Sequence, residues 1–141
     1  MPRYASRRVL LAPIEDVWAF LAEPHHLGDW WPGIAGVQPD RRGFAPGARW
    51  QVAGPNRPSL LRKPNMTGML LVLDVVPMSR IAFQLTGDKI DAELELRELE
   101  RDRTEVSLVV EVPWLIGVRR TFPARALARL HDLVQTGAAE D

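Results

Sequence analysis

The side chains able to do chemistry in this chain are few and scattered. His25, His26 and Asp29 form a cluster with conceivable metal-ligand spacing. On a helix His25 and Asp29 share a face at i, i+4, which supplies two ligands and no third, so the group reads as a polar helix face and no metal is expected. His131 stands beside Asp132 and reads as an exposed or hydrogen-bonded histidine rather than a base. Asp74 is the acid within an apolar run at 66–76. Buried, it would titrate high and could donate a proton; near the strand's end it faces water, and that is the expectation. Arg49 and Arg62 carry planar donors suited to a ligand carboxylate or enol, yet both also fit an ordinary surface. None of the four serines sits in GxSxG, and HExxH, P-loop and GxGxxG patterns are missing. With no cysteine there is no thiol nucleophile, zinc finger, iron–sulfur site or disulfide framework. No nucleophile–base pair can be assembled, so catalytic residues stay unassigned, and no cofactor is expected.

The aromatic residues point elsewhere. Trp18 falls at a helix-core position. Trp30, Trp31, Trp50 and Trp114 fall near the ends of predicted elements, where the mouth of a cavity would lie; each would equally fit a filled core. Trp31 is expected to face away from its neighbour Trp30, towards solvent or a partner.

Those positions depend on the elements that carry them. Residues 4–11 read as a strand. Pro13 opens a helix over 13–22, with Glu15 and Asp16 at its positive end and Val17, Trp18, Phe20 and Leu21 as apolar stripe. Pro24 breaks it, and 25–31 reads as a second short helix ending at Pro32-Gly33. Short strands fall near 34–38 and 48–53 among repeated Gly and Pro. A run at 66–76 precedes three strands with clean alternation, at 80–86, 90–100 and 104–112, which argues for an antiparallel sheet with one wet and one buried face. The period then changes: Phe122, Ala126, Leu127, Leu130, Leu133 and Val134 recur at helical spacing, and Gly137 is placed to stop that helix. Pro123 either opens it or kinks a longer one from near Leu115; the longer, kinked helix is expected. Strand, two short helices, six strands and a long helix make an α+β arrangement: a curved antiparallel sheet of about seven strands wrapped around the C-terminal helix.

Size and charge agree with this. At 141 residues, 46% hydrophobic, the chain makes one domain, 1–141, large enough to hold a cavity. Lysine and arginine balance aspartate and glutamate at 18 each, so no global field draws nucleic acid or an anionic membrane. No apolar run reaches spanning length and the N-terminus has too short an apolar core for a secretory signal, so a cytoplasmic location is expected. The charge is unevenly placed, nine basic against five acidic in 1–63 and four against nine in 88–111. That reads as two solvated faces, or as an acidic sheet face and a basic loop region that guide self-association.

The order of motifs resembles the START-like helix-grip superfamily (SRPBCC), typified by the major birch pollen allergen, and within it the polyketide cyclase/dehydrase-type branch. The first helix, Ala12-Pro13-Ile14-Glu15-Asp16-Val17-Trp18-Ala19-Phe20-Leu21, is similar to the family's "aPpeeVwafl". Leu27-Gly28-Asp29-Trp30-Trp31-Pro32-Gly33-Ile34 is similar to its "l..W.Pgv", and Gly47-Ala48-Arg49-Trp50 to its "G.rw". Leu94-x-Leu96 with Thr104-Glu105-Val106 resembles the late strand pair, and Ala126-Leu127-x-x-Leu130 the closing helix. Pro123 and the Pro-rich 55–64 segment depart from the pattern. The resemblance implies a helix-grip fold around a hydrophobic cavity, but no single function. Combined with the alternation, it predicts a cavity for a small hydrophobic or aromatic ligand (lipid, polyketide or quinone-like) lined by Trp30, Trp50, Phe83, Leu96, Leu108, Val110, Leu127 and Leu130. Two alternatives stay open: a cyclase/aromatase-like enzyme, which few polar groups here would serve, and a partner-binding or homodimeric protein. The latter follows from Met69-Leu70-Leu71-Val72-Leu73, whose lack of alternation leaves both strand faces apolar.

Overall fold

The computed structural model describes residues 3–31, 34, 36–53, 67–86, 89–112 and 121–140. In chain order these form β1 (Arg3–Leu10), α1 (Ile14–Ala22), a single 3-10 turn (Pro24–His26), α2 (Leu27–Trp30), β2 (Gly36–Gln38) and β3 (Arg49–Ala53). Then come β4 (Thr67–Val76), β5 (Arg80–Leu85), β6 (Ile90–Glu100), β7 (Arg103–Glu111) and α3 (Phe122–Glu140). The strands make one antiparallel sheet in the order β1-β7-β6-β5-β4-β3-β2. β2 to β7 form a meander, and β1 returns to pair with β7 from Arg3↔Glu111 to Leu10↔Thr104. The α+β helix-grip arrangement read from the sequence is the observed one.

Local chemistry explains the elements. Pro13 caps α1 in an extended conformation, two acids occupy the first turn, and Ile14, Val17 and Leu21 bury one stripe. At the other end the Glu23 carboxylate accepts from the backbone N–H of His25, so the chain turns at once into the 3-10 turn. The alternation in β6 and β7 becomes a buried row, Ile90, Ala92, Leu94, Leu96 beside Val106, Leu108, Val110, and an outward row of charge. α3 lies against β1 and β7 and closes the buried face with Ala126, Leu127, Leu130 and Val134. Thr104, buried on β7, donates its hydroxyl to the Ala12 carbonyl at 3.0 Å, tying the turn into α1 to the strand that pairs with β1.

Three expectations change. α3 begins at Phe122, with Thr121 in a turn, so Pro123 sits in the first helical turn, where its missing N–H costs nothing. The stretch 115–120, where the longer helix was placed, lies outside the described residues. α3 also continues past Gly137 to Glu140: a glycine costs about 1 kcal/mol against alanine inside a helix but does not forbid it. The second short helix divides into the 3-10 turn and α2, since Pro24 starts the tighter turn.

Candidate functional site

All eight residues expected to line a cavity are buried, at 0–7% exposure. Phe83, Leu96, Leu108 and Val110 share the inner face through the pairs Phe83↔Ala92, Ala92↔Val110 and Leu94↔Leu108. Leu127 and Leu130 are buried on α3, which packs against β1 and β7. Trp30 enters from α2, which also touches α3.

Trp31 departs from expectation. It is 2% exposed and is the hub of an aromatic group. Its ring meets Trp30 at 5.6 Å, Phe83 at 5.2 Å and Phe122 at 5.1 Å, all edge-to-face. The reason lies at the helix end. Trp31 caps α2 with an extended backbone, φ −83°, ψ 116°, so it does not continue the helical rotation that would separate neighbours by about 100°. Both indoles therefore point into the core. Trp50 belongs to a second group: its ring stacks edge-on against Phe44 at 4.3 Å, and its Nε1–H donates to the Gly43 carbonyl at 2.8 Å. Among the described residues, ring contacts join Trp30 to Phe83 through Trp31 and leave Trp50 with Phe44. Trp114 and Arg62 lie outside the described residues.

The polar candidates have local roles. His25 Nδ1 lies 2.8 Å from the Glu23 carboxylate, and His25 hydrogen bonds hold that carboxyl below its usual range. His26 stacks on Phe20 at 4.1 Å and donates from Nδ1 to the Phe20 carbonyl. Asp74 faces water, as expected, with Arg80 at 3.8 Å. Asp40, unremarked in the sequence, accepts from the backbone N–H groups of Arg49 and Arg42, which lower its pKa and pin the loop before β3. His131 sits against Asp132 at 3.1 Å.

Charge collects on the outer face instead. The rung Arg80, Glu95, Ser107, Arg7 crosses four strands. With Arg97 and Glu105, paired at 3.3 Å, and with Ser79 and Leu96, it lines an open hollow of about 490 Å³. Two short serines between long arginines make the depression. Arg80 Nε stands 3.2 Å from the Glu93 carboxylate without hydrogen-bond geometry. Glu93 has its pKa raised, first by burial and then by a hydrogen bond with Glu95, against the pull of Arg80. Leu96 is the residue common to this hollow and to the expected cavity lining.

Among the described residues no helix is long and apolar enough to cross a membrane. The chain is similar in fold to protein NE0264 from Nitrosomonas europaea, with 16% identity, 97% of this chain and 96% of that one covered, and a TM-score of 0.71. It is similar also to the Aha1 dimer from Colwellia psychrerythraea, with 18% identity, 97% and 98% covered, TM-score 0.66. DynU16, from the dynemicin biosynthetic locus, shares 18% identity over 96% of this chain and 48% of its own, TM-score 0.67. No curated protein matches the sequence. The family model described as "Polyketide cyclase / dehydrase and lipid transport" matches residues 1–137, and the chain belongs to that family.

Proposed function

We propose that this protein holds a small hydrophobic or aromatic ligand, lipid, polyketide or quinone-like, between the inner sheet face and α3. The observation that carries the reading is the chemistry of that inner face. The buried positions of β5, β6 and β7 are apolar except Thr104, whose hydroxyl is already bonded to Ala12, and the Trp50 N–H is likewise used on Gly43. A phosphate or carboxylate placed among those positions would lose its hydration without gaining a counter-charge, since Arg8, on the same face opposite Val106, stands exposed on the edge strand β1. The same chemistry favours holding over catalysis, because a cyclase-like reaction needs donors converging on a carbonyl.

The test is thermal unfolding with fatty acids, flavonoid-like aromatics and quinones beside nucleotides. A native-state ligand at a hundredfold excess over Kd stabilises by about 2.7 kcal/mol, a shift of several degrees for a domain this size. The apolar compounds should raise the midpoint and nucleotides should not. Leu96→Arg and the apolar, cavity-filling Leu96→Phe should both abolish the shift, while Glu95→Arg on the outer face should keep it. Stabilisation by nucleotides alone, or equal effects at 95 and 96, would reject the reading.

A further inference from the structure

β4 presents an unusual outer face. Leu70 and Val72 are buried inwards, and on the other side Met69 is 40% exposed and Leu73 48%, with Leu71 half-buried between them and Val76 exposed beyond. At the level of Leu71 the two sides of this stripe carry opposite charges, and Arg80 stands on the β5 side at the level of Val76. The rung through Leu71 reads Arg49 on β3, Leu71 on β4, Gln84 on β5 and Asp91 on β6. Arg49 is exposed, and its backbone N–H, held by Asp40, fixes where its side chain starts. Asp91 accepts from Gln84 Nε2 at 2.8 Å, and Glu93 and Glu95 continue the acidic side. Asp74, within the stripe, leans towards Arg80 on β5.

We infer that the occupant of this stripe is a second copy of the same chain, packed face to face about a two-fold axis running along β4. The charges select both the partner and the axis. Strands are spaced about 4.8 Å apart, so rotation about β4 lays β3 of one copy over β5 of the other at the same height. Arg49 of each protomer then stands above the Gln84–Asp91 pair of its partner, twice by symmetry. The other face-to-face two-fold, with its axis across the strands, would lay the acids of β6 over themselves and is disfavoured by like-charge repulsion. Met69, Leu71 and Leu73 meet their own counterparts at the axis, which covers the apolar row, and Asp74, which also meets its counterpart, is paired with Arg80 of its own chain at 3.8 Å. This surface is distinct from the inner face proposed for the ligand, so ligand binding and dimerisation stand or fall separately.

The wild-type protein should sediment as a dimer at micromolar concentration. Leu73→Lys, at an exposed position that spares the core, should weaken association at least tenfold with the far-UV spectrum unchanged; Met69→Lys should repeat the effect. Arg49→Asp and Asp91→Arg should each weaken the dimer, and the double exchange should restore it. The chain lacks cysteine, so Leu73→Cys at the axis should oxidise to a covalent dimer. Leu99→Cys, similarly exposed at 41% but far along β6, should not. A monomer at about 100 µM, well above the Kd of a stable complex, would overturn the inference, whether or not another protein covers the stripe. So would a dimer indifferent to Leu73→Lys, a double exchange that fails to restore it, or equal cross-linking from positions 73 and 99.

Discussion

Trp31 shows how much one side chain can organise. Its edge contacts join α2, β5 and the start of α3. Replacing it with alanine removes three aromatic pairs and leaves a void that a sheet cannot collapse into. The expected cost is about 3–5 kcal/mol, seen as a lower urea midpoint with unchanged slope; Trp31→Phe should lose less. Glu93 works in the opposite direction. Burial and the neighbouring Glu95 raise its folded pKa above the ordinary glutamate range. Below the unfolded pKa the carboxyl is protonated in both states and costs nothing. As pH rises through the folded pKa, the native state must accept a charge it disfavours, and stability falls. Glu93→Gln should therefore raise the melting temperature at pH 7 and leave it nearly unchanged near pH 4. A stabilisation that grew on acidification would contradict this assignment.

Elements here are held together by few cross-links of high leverage. The hydroxyl of Thr104 reaches across 92 residues of sequence to the Ala12 carbonyl, joining β7 to the turn that launches α1. Thr104→Val keeps the shape but orphans a buried acceptor, so it should cost about 1–3 kcal/mol in denaturant unfolding, whereas Thr104→Ser should cost less. Period-two alternation made β5, β6 and β7 legible in the sequence, because one face of each is wet and the other buried. The inward assignment of Phe83, Leu96, Leu108 and Val110 followed from the same alternation. Trp31 was not legible, since its direction is set by one extended residue at a helix end and not by any period. The start of α3 was ambiguous for a related reason: proline is compatible with a first turn and with a kink, and only the turn at Thr121 decides between them. The outer hollow gave no sequence signal at all. Arg7, Arg80, Glu95 and Ser107 become neighbours through register alone.

At the scale of the whole molecule the two sheet faces divide the labour. The inner face, closed by α3, is apolar at the buried positions of β5, β6 and β7 apart from Thr104, with Ser6 and Arg8 on its β1 edge, while the outer face runs from the exposed row of β4 to the charged rung across β5, β6, β7 and β1. Function is proposed for the first and assembly for the second. The pairing of β1 with β7 has a further consequence, for how the protein is made. A ribosome adding about 5–20 residues per second releases β1 many seconds before β7 exists. Through that interval the first strand waits with no sheet to join, and α1 waits with it for the Thr104 hydroxyl. Leu10 is the fully buried residue of β1, and Arg3, Arg7 and Arg8 punctuate the rest of the strand. Those charges keep an unpaired strand from adding to the edge of another nascent chain. Synthesis thus leaves the closing of the sheet to its last strand, and the arginines of the first keep it soluble until then.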